Sequence, residues 1–377
     1  MKKILFVHQA SVIGGGSYCM LNIIKELDQK LFYVEVLLPE YGPLCDELKK
    51  LGIKYYFLSG LRGIPYNRNI FIPKYFFSYI KVFVLKKSFR RFLLKHSYDI
   101  VYLNSMVLYP FLKVVKTLNI KTVIHIREHW PLSEHRIQLY YAQIQVKEYA
   151  DKVFAINRYS ASMFPQSSSK CCIAYDWVDM SDRFEHCPLD KIFGVDSSKL
   201  KVFLYTGGFD RFKGPKEVFT VFSNVVRDNN ARLLVMGEKP KETKNDYLKD
   251  CLYLLEKDKR IVCIPRTYKI QHIIEQSYCV LSYFTVPHAN LGIAENIILR
   301  KLTIAADNEE AREYSMDGSL AILYKANDIE DFAKAVDGVD AEYEQKIKAI
   351  KNNSDSIRVM FDKERNVKLI IEQLKTL

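Results

Sequence analysis

Short apolar runs alternate with helical patterns along the first half of the chain. Runs such as ILFV, VEVLL and IVYL are apolar at nearly every position, which is typical of strands buried on both faces of a sheet. The strict alternation predicts a parallel sheet with helices on both faces. Strands are predicted at 3–9, 34–39, 54–58, 99–105, 121–128, 152–157 and 171–176, and helices at 17–27, 43–51, 74–95, 107–118, 134–150 and 159–164.

The second half repeats this scheme, and after about residue 328 only helical patterns remain. The predicted fold class is therefore α/β, with two doubly wound parallel-sheet domains facing a cleft, where such domains place their ligands. An irregular, charged stretch with a proline and two serines is interpreted as the linker. We predict domains at 1–185 and 201–359 with the linker at 186–200, and second-half strands at 201–206, 231–236, 261–264, 279–284, 302–306 and 320–324.

Composition and cysteine usage fit an ordinary globular protein. The 377 residues are 49% apolar and 27% charged, which suits two domains. No run of 18 apolar residues occurs, so no membrane-spanning helix is predicted, and the opening MKKILFVHQ has too short an apolar run for a signal peptide. The eight cysteines form no CxxC motif, which predicts reduced thiols in the cytoplasm.

The net charge of +12 is concentrated in one segment. Residues 48–98 contain twelve Lys and Arg and no Asp or Glu, with many aromatic side chains between the cations. This pattern fits either a core helix with a solvated face or a helix lying on an anionic membrane. Nucleic acid is a poorer fit because no recognised binding module is present. We predict an anionic membrane surface as a partner of residues 48–98, and a peripheral location at the inner face of the plasma membrane.

The segment KVFLYTGGFDRFKG has the pattern of a phosphate-binding turn. An apolar strand leads into Gly207 and Gly208, and Lys213, with Arg211 nearby, precedes the next helix. Backbone N–H groups, the helix dipole and a full positive charge all favour an anion there. In LGIAEN, Glu295 is predicted at a helix start, where its carboxylate can accept hydrogen bonds from a sugar diol. Phosphate and diol together predict a nucleotide ligand. No DxD-like motif indicates a metal site.

Two loops of the first half are further candidates for ligand contact. Gly14, Gly15 and Gly16 follow the first strand but do not spell GxGxxG, which disfavours a dinucleotide site of the dehydrogenase type. Four polar side chains crowd the carboxyl end of the predicted strand 121–128. We expect at least one of them to contact substrate: His125, Arg127, Glu128 and His129.

Several weak motifs occur in an order and spacing that resemble a known family. Glu295 and Asp307 keep the spacing of E-A-x-x-x-G-x-P-V-I-x-x-D, and ARE at 311–313 fits G-x-R-E. The chain resembles retaining glycosyltransferases of family 4, which have the GT-B fold. The other matching segments are GGGSYCML at 14–21, IREH at 126–129, YDWVD at 175–179, GGFDRFKG at 207–214 and LLVMGE at 233–238.

The resemblance implies a function and roles for the candidate residues. A sugar would pass from a UDP- or GDP-sugar, with no other cofactor and no metal, to a glycan or glycolipid acceptor in polysaccharide biosynthesis, with retention of configuration. The first domain would bind the acceptor, with the C-terminal helix 360–377 packing back on it. Lys213 and Arg211 would stabilise the leaving diphosphate and Glu295 the ribose. Further diphosphate contacts would come from Asn290, Leu291, Gly292 and Ile293.

The chain also departs from the family pattern. Gly208 stands where the family usually has Arg, and Pro287 where it has a second Glu. Arg127 and Glu128 align with the family's His-Asp pair. Two alternatives therefore stay open, namely a nucleotide-sugar epimerase of the same fold and a non-catalytic relative that binds glycan or lipid.

Overall fold

The structure is a computed structural model that describes residues 1–64, 73–128, 130, 136–178, 180, 188–241, 243–265, 270–285 and 290–377. The chain forms two compact units. The first comprises Met1–Trp177 together with Lys363–Leu377, and the second comprises Val178–Asp362.

The first unit contains a seven-stranded sheet, all of whose strand pairs are parallel. Its strands are β1 (Lys2–Val7), β2 (Phe32–Leu38), β3 (Lys54–Phe57), β4 (Ile100–Leu103), β5 (Lys121–Ile126), β6 (Lys152–Ala155) and β7 (Cys171–Ile173). Its helices are α1 (Gly15–Glu26), α2 (Pro43–Lys50), α3 (Pro73–His96), α4 (Leu112–Lys116), α5 (Arg136–Tyr149) and α6 (Arg158–Ser162), with 3₁₀ helices at Met106–Phe111 and Pro165–Lys170. The strand order is β3-β2-β1-β4-β5-β6-β7.

Alternate residues of β1 enter two separate hydrophobic cores, one on each face of this sheet. Leu5 and Val7 pack in the core beneath α3, α4 and α5, whereas Ile4 and Phe6 pack in the core beneath α1 and α2. Because both faces are buried, every position from Ile4 to Val7 is apolar.

The second unit contains a six-stranded parallel sheet in the order β10-β9-β8-β11-β12-β13. Its strands are β8 (Lys201–Tyr205), β9 (Ala231–Met236), β10 (Ile261–Ile264), β11 (Cys279–Leu281), β12 (Leu302–Asp307) and β13 (Ile322–Lys325). Its helices are α7 (Leu189–Phe193), α8 (Pro215–Val225), α9 (Asp246–Lys257), α10 (Gln271–Gln276), α11 (Leu291–Ile298), α12 (Glu309–Tyr314), α13 (Ile329–Asp337) and α14 (Val339–Met360), with 3₁₀ helices at Ser197–Lys199 and Arg211–Lys213. The last helix, α15 (Lys363–Lys375), packs on α1 and so belongs to the first unit.

The predicted class of two doubly wound parallel sheets is confirmed, and two local predictions need correction. The helix predicted at 107–118 is a 3₁₀ helix followed by the short α4, because Pro110 lacks an N–H and interrupts the α-helical pattern. The predicted linker 186–200 contains α7 and a 3₁₀ helix and lies inside the second unit. The boundary between the units instead falls between Trp177 and Val178.

Two further observations concern the described ranges. Among these residues, no helix combines the length and hydropathy needed to cross a bilayer. Their seven cysteines are free thiols: Cys19, Cys45, Cys171, Cys172, Cys251, Cys263 and Cys279.

Candidate functional site

In the first sheet, the strand order reverses between the neighbouring strands β1 and β4, since successive strands are added on one side from β1 to β3 and on the other from β4 to β7. This point is lined by polar groups. In open α/β sheets, ligands bind at such a reversal, outside the carboxyl ends of the strands. The glycine loop follows β1, and Asn104 follows β4 and donates from Nδ2 to the Gly16 carbonyl at 3.0 Å. A Cβ at Gly16 would lie 3.3 Å from Cδ of Arg127. The structure thus brings together two of the predicted loops, 14–16 and 125–128.

Arg127 is the centre of a buried polar network. Its side chain is only 6% exposed and forms an ion pair with Asp176, which follows β7. Its Nε donates to Asn104 Oδ1 at 3.1 Å, and its Nη2 lies 3.2 Å from Nδ1 of His125. Burial is the largest single influence and opposes the charge on Arg127, but the surrounding groups, first among them Asp176, together raise the pKa of the guanidinium.

The two histidines around Arg127 are neutral. A guanidinium can only donate, so Nδ1 of His125 accepts and the proton lies on Nε2. The Tyr102 hydroxyl also donates to this Nδ1, at 2.7 Å. Burial, followed by the charge of Arg127, lowers the pKa of His8 to about 3 and that of His125 well below its usual value. Neither imidazole is therefore available as an acid at neutral pH.

Glu128 is buried and bonded within its own unit. It accepts hydrogen bonds from the Ser105 hydroxyl, from the Met106 N–H at 2.9 Å and from the Arg127 N–H at 3.0 Å. Burial raises its pKa, and these hydrogen bonds oppose that change. This position favours support of the loops after β4 and β5 over contact with substrate. The fourth residue predicted here, His129, lies outside the described residues.

The Gly-Gly turn after β8 is shaped by a buried tyrosine. The Tyr205 hydroxyl donates to the Lys213 carbonyl at 2.8 Å, and a Cβ at Gly207 would lie 2.1 Å from that hydroxyl oxygen. Gly208 has φ of +61°, which favours glycine, so an arginine at this position would strain the backbone. Gly214 also has φ of +61°, and a Cβ there would lie 2.3 Å from the Tyr283 ring. These glycines permit close packing that fixes the turn carrying Lys213.

Arg211 lies in the same turn but remains exposed. Its guanidinium lies 5.5 Å from the centre of the Tyr247 ring, a cation–π contact. Tyr247 is held in turn by a 2.7 Å hydrogen bond from its hydroxyl to Glu217. A second cation is therefore present on the phosphate-type turn, about one helical turn before Gly214.

In the second sheet, the strand order reverses between β8 and β11, and the loops after these two strands are in contact. The Thr285 N–H donates to the Phe212 carbonyl at 2.9 Å. The Asn290 side chain, just before α11, donates to the Ser282 hydroxyl at 2.8 Å. The Ile293 N–H donates to the Asn290 carbonyl at 3.1 Å. The N–H groups of Leu291 and Gly292, in the first turn of the helix, are directed out of its N-terminal end.

The sequence predicts Glu295 at the start of a helix. The structure instead places it one turn inside α11. Its carboxyl group is largely removed from water and accepts from Gln271 Nε2 at 3.3 Å. Burial raises its pKa from 4.5 to about 7. Downstream, Asp307 ends β12 and forms a bidentate ion pair with Arg312, with contacts of 2.6 and 2.7 Å.

Sequence reasoning missed four supporting residues. Asp176 lies within the YDWVD segment, which the motif comparison already singles out. Nothing in the sequence identifies Arg127 as its partner. Asn104 ends an apolar strand, where a lone polar residue is a usable signal. Nothing in the sequence pointed to Gln271 or Tyr205, because each acts through packing between distant segments. Within the described ranges, no group of three or more His, Cys, Asp or Glu side chains is placed to hold a metal ion.

Residues 191–355, less than half of the chain, match the model of the family described as glycosyl transferases group 1. No curated protein matches the sequence.

Solved structures match over the whole chain. HepE of Anabaena in complex with UDP-glucose is 17% identical, with full coverage of both chains and a TM-score of 0.76. A glycosyltransferase from Rickettsia africae is 17% identical, with coverage of 100% of this chain and 98% of the other and a TM-score of 0.73. Sucrose-phosphate synthase from Thermosynechococcus elongatus is 12% identical, with coverage of 100% and 99% and a TM-score of 0.70. The fold is GT-B, as expected.

Proposed function

We propose that this protein is a glycosyltransferase that moves a sugar from a nucleoside-diphosphate sugar to a hydroxyl group of a glycan or glycolipid, with retention of configuration. A bond forms between the acceptor oxygen and the anomeric carbon as the bond to the diphosphate oxygen breaks. The acceptor hydroxyl loses its proton to the departing diphosphate, and the nucleoside diphosphate leaves. A UDP-sugar is the preferred donor, since the similar HepE structure was determined with UDP-glucose.

The observation that carries this proposal is the set of groups at the β8/β11 reversal. The turn with Lys213 and Arg211 contacts the loop after β11, and α11 begins nearby with its first N–H groups directed outward. Negative charge develops on the leaving diphosphate in the transition state. A preorganised cation and helix N–H groups stabilise that charge without a divalent ion. The match of 191–355 to a glycosyltransferase family supports the same reaction.

Glu295 is assigned to the ribose. In its ionised form the carboxylate accepts two hydrogen bonds from a diol, and the Gln271 amide holds one of its oxygens. Its raised pKa means that nucleotide binding favours loss of the proton near pH 7.

The first unit is assigned to the acceptor and the transferred sugar. Arg127 is held by Asp176 and Asn104 beside the glycine loop 14–16, so its orientation is fixed before any ligand binds. The resemblance supports a role in surface-polysaccharide synthesis at the cytoplasmic side of the membrane, with a lipid-linked oligosaccharide as acceptor.

Donor binding can be tested by thermal shift with UDP, GDP and their sugars, because a ligand of the folded state raises its stability. We expect UDP and UDP-sugars to raise the melting temperature of the wild type and of the control Lys257→Ala, whose exposed side chain is on α9. Lys213→Ala should lose most of the shift.

The same preparation separates the alternatives. Transfer to an added acceptor supports the proposal, whereas interconversion of UDP-sugars without acceptor would identify an epimerase. Binding without hydrolysis, transfer or interconversion would identify a non-catalytic relative, which is the outcome that Gly208 and Pro287 would explain.

A further inference from the structure

Helix α3 has one face in the core of the first unit. Val82, Phe89 and Leu93 are buried, and the Phe89 ring meets Phe111 at 5.1 Å in an edge-to-face contact. This face accounts for only part of the described apolar side chains in the helix, so the core-helix interpretation leaves the others unexplained.

The opposite face of α3 carries large apolar side chains in water. Phe77, Ile80, Phe83 and Val84 are 60%, 46%, 68% and 62% exposed. Positions 77, 80 and 84 recur at the spacing of one helix face and Phe83 lies beside them, so these four side chains form an apolar ridge on the N-terminal half of the helix. A contiguous apolar patch of this kind on a soluble protein marks an interaction surface.

The same face becomes cationic toward the C-terminal half. Lys87, Arg90, Arg91 and Lys95 are exposed, and none of them forms an ion pair with the residues that the structure describes. Burial, followed by the nearby charge of Lys113 on α4, lowers the pKa of Lys86. A surface with uncompensated positive charge fits an anionic partner.

Helix α5 extends this surface on the same side of the sheet. Ile137, Tyr140 and Tyr141 are 66%, 63% and 48% exposed. Both α3 and α5 pack against Met106–Lys116, and the Tyr109 and Tyr141 rings meet at 6.1 Å. Two helices that pack on either side of Met106–Lys116 thus present apolar and amphipathic aromatic side chains to solvent.

We propose that the exposed faces of α3 and α5 bind a bilayer containing anionic lipid. The apolar ridge enters the boundary between headgroups and acyl chains, and the cationic half of α3 contacts the headgroups. This division of one exposed stripe into apolar and cationic parts matches the two layers of a membrane interface. Nucleic acid would use the cations but leave the exposed Phe and Ile side chains without a role. All residues of this surface belong to the first unit and none is a donor residue assigned to the second, so the inference does not depend on the proposed reaction.

Co-sedimentation with phosphatidylcholine vesicles, with or without 30% phosphatidylserine, tests the proposal at low and high salt. The wild type should bind only the anionic vesicles and be released as salt rises. The quadruple variant Lys87→Gln, Arg90→Gln, Arg91→Gln, Lys95→Gln should bind at least about a hundredfold more weakly, since each cation near the surface contributes roughly fivefold. The control variant makes the same change in charge at four exposed lysines of the second unit and should bind vesicles like the wild type. Its substitutions are Lys244→Gln, Lys257→Gln, Lys259→Gln and Lys348→Gln.

A second pair of variants tests the apolar ridge. Phe83→Ser with Val84→Ser should weaken vesicle binding about tenfold or more, whereas Tyr253→Ser with Val359→Ser, also exposed, should not. Because all these side chains face water, the fold should be retained, and circular dichroism checks this. Wild-type protein that stays in the supernatant at low salt would overturn the proposal, as would equal binding by the α3 variants and their controls. A dimer that is lost in the Phe83, Val84 variant without vesicle binding would instead identify a protein interface.

Discussion

Glu295→Gln should stabilise the protein while weakening its binding of nucleotide. Burial raises the pKa of Glu295 from 4.5 to about 7, so the folded state keeps a proton that the unfolded state has lost between these values. A folded state that binds more protons loses stability as pH rises through that window. Ionised Glu295 therefore destabilises the apo protein above pH 7, and a neutral glutamine removes this cost.

The magnitude follows from the size of the shift. The full shift corresponds to at most about 3 kcal/mol, and partial exposure of the side chain to solvent reduces this to about 1–2 kcal/mol. For a domain of this size, 1 kcal/mol changes the melting temperature by about 2–4 °C. The melting temperature of the variant minus that of the wild type should thus increase by about 2–8 °C between pH 5 and pH 8. Glu256→Gln, on the exposed side of α9, is the charge-matched control and should show no such trend.

Binding should change in the opposite direction. Loss of a charged hydrogen-bond acceptor for the ribose should weaken UDP binding by about 1.5–3 kcal/mol at pH 8, measured by isothermal titration calorimetry. At pH 6, only about one tenth of Glu295 is ionised, so wild-type affinity should fall about tenfold from this residue alone. The phosphates of UDP also titrate, but the variant retains that contribution and isolates the effect of Glu295. A melting-temperature difference that is constant from pH 5 to 8, or unchanged UDP affinity, would refute the assignment.

Three further outcomes are expected. Lys213→Ala should lower the rate of transfer at least about a hundredfold, roughly 3 kcal/mol of lost transition-state stabilisation; near-normal turnover in a folded variant would remove Lys213 from the site. Transfer should persist in excess EDTA, and activity that is lost and then restored by Mg²⁺ or Mn²⁺ would reveal a metal requirement. Asp176→Asn should destabilise the fold by about 3 kcal/mol because it leaves Arg127 unpaired and buried, and adding Arg127→Met should recover most of that loss in urea unfolding, though without recovery of transfer.

The order of elements could be predicted from the sequence because hydrophobic periodicity is a local signal. All thirteen predicted strands are present, and β1 illustrates why. Its four central residues are buried against two cores, so alternation of polar and apolar residues is absent and the run is unmistakable. The predictions of a continuous helix at 107–118 and of a linker at 186–200 were wrong for a local reason as well. Both segments contain short 3₁₀ helices, which have no strong periodicity.

The candidate site could be predicted only in part, because its residues act through long-range contacts. The Gly-Gly turn and Lys213 stand out in sequence, yet the reason for Gly207 is the hydroxyl of Tyr205 on the preceding strand. Four polar residues at the end of β5 looked equivalent in sequence. The structure distinguishes Arg127, which lies beside the glycine loop, from His125 and Glu128, which are held within the unit by Tyr102 and by the loop after β4.

The balance of charge in the two units indicates where a diphosphate would be stabilised. In the first unit, the charge of Arg127 is matched by Asp176, and His8 and His125 are held neutral, so this network supplies orientation with little net positive charge. In the second unit, Arg211 is exposed on the turn and its guanidinium lies over the neutral ring of Tyr247. An anion gains most from a cation that is not already compensated by an acid. Substitutions in the second unit should therefore act mainly on binding and departure of the diphosphate, and those around Arg127 on the positioning of the sugar and acceptor.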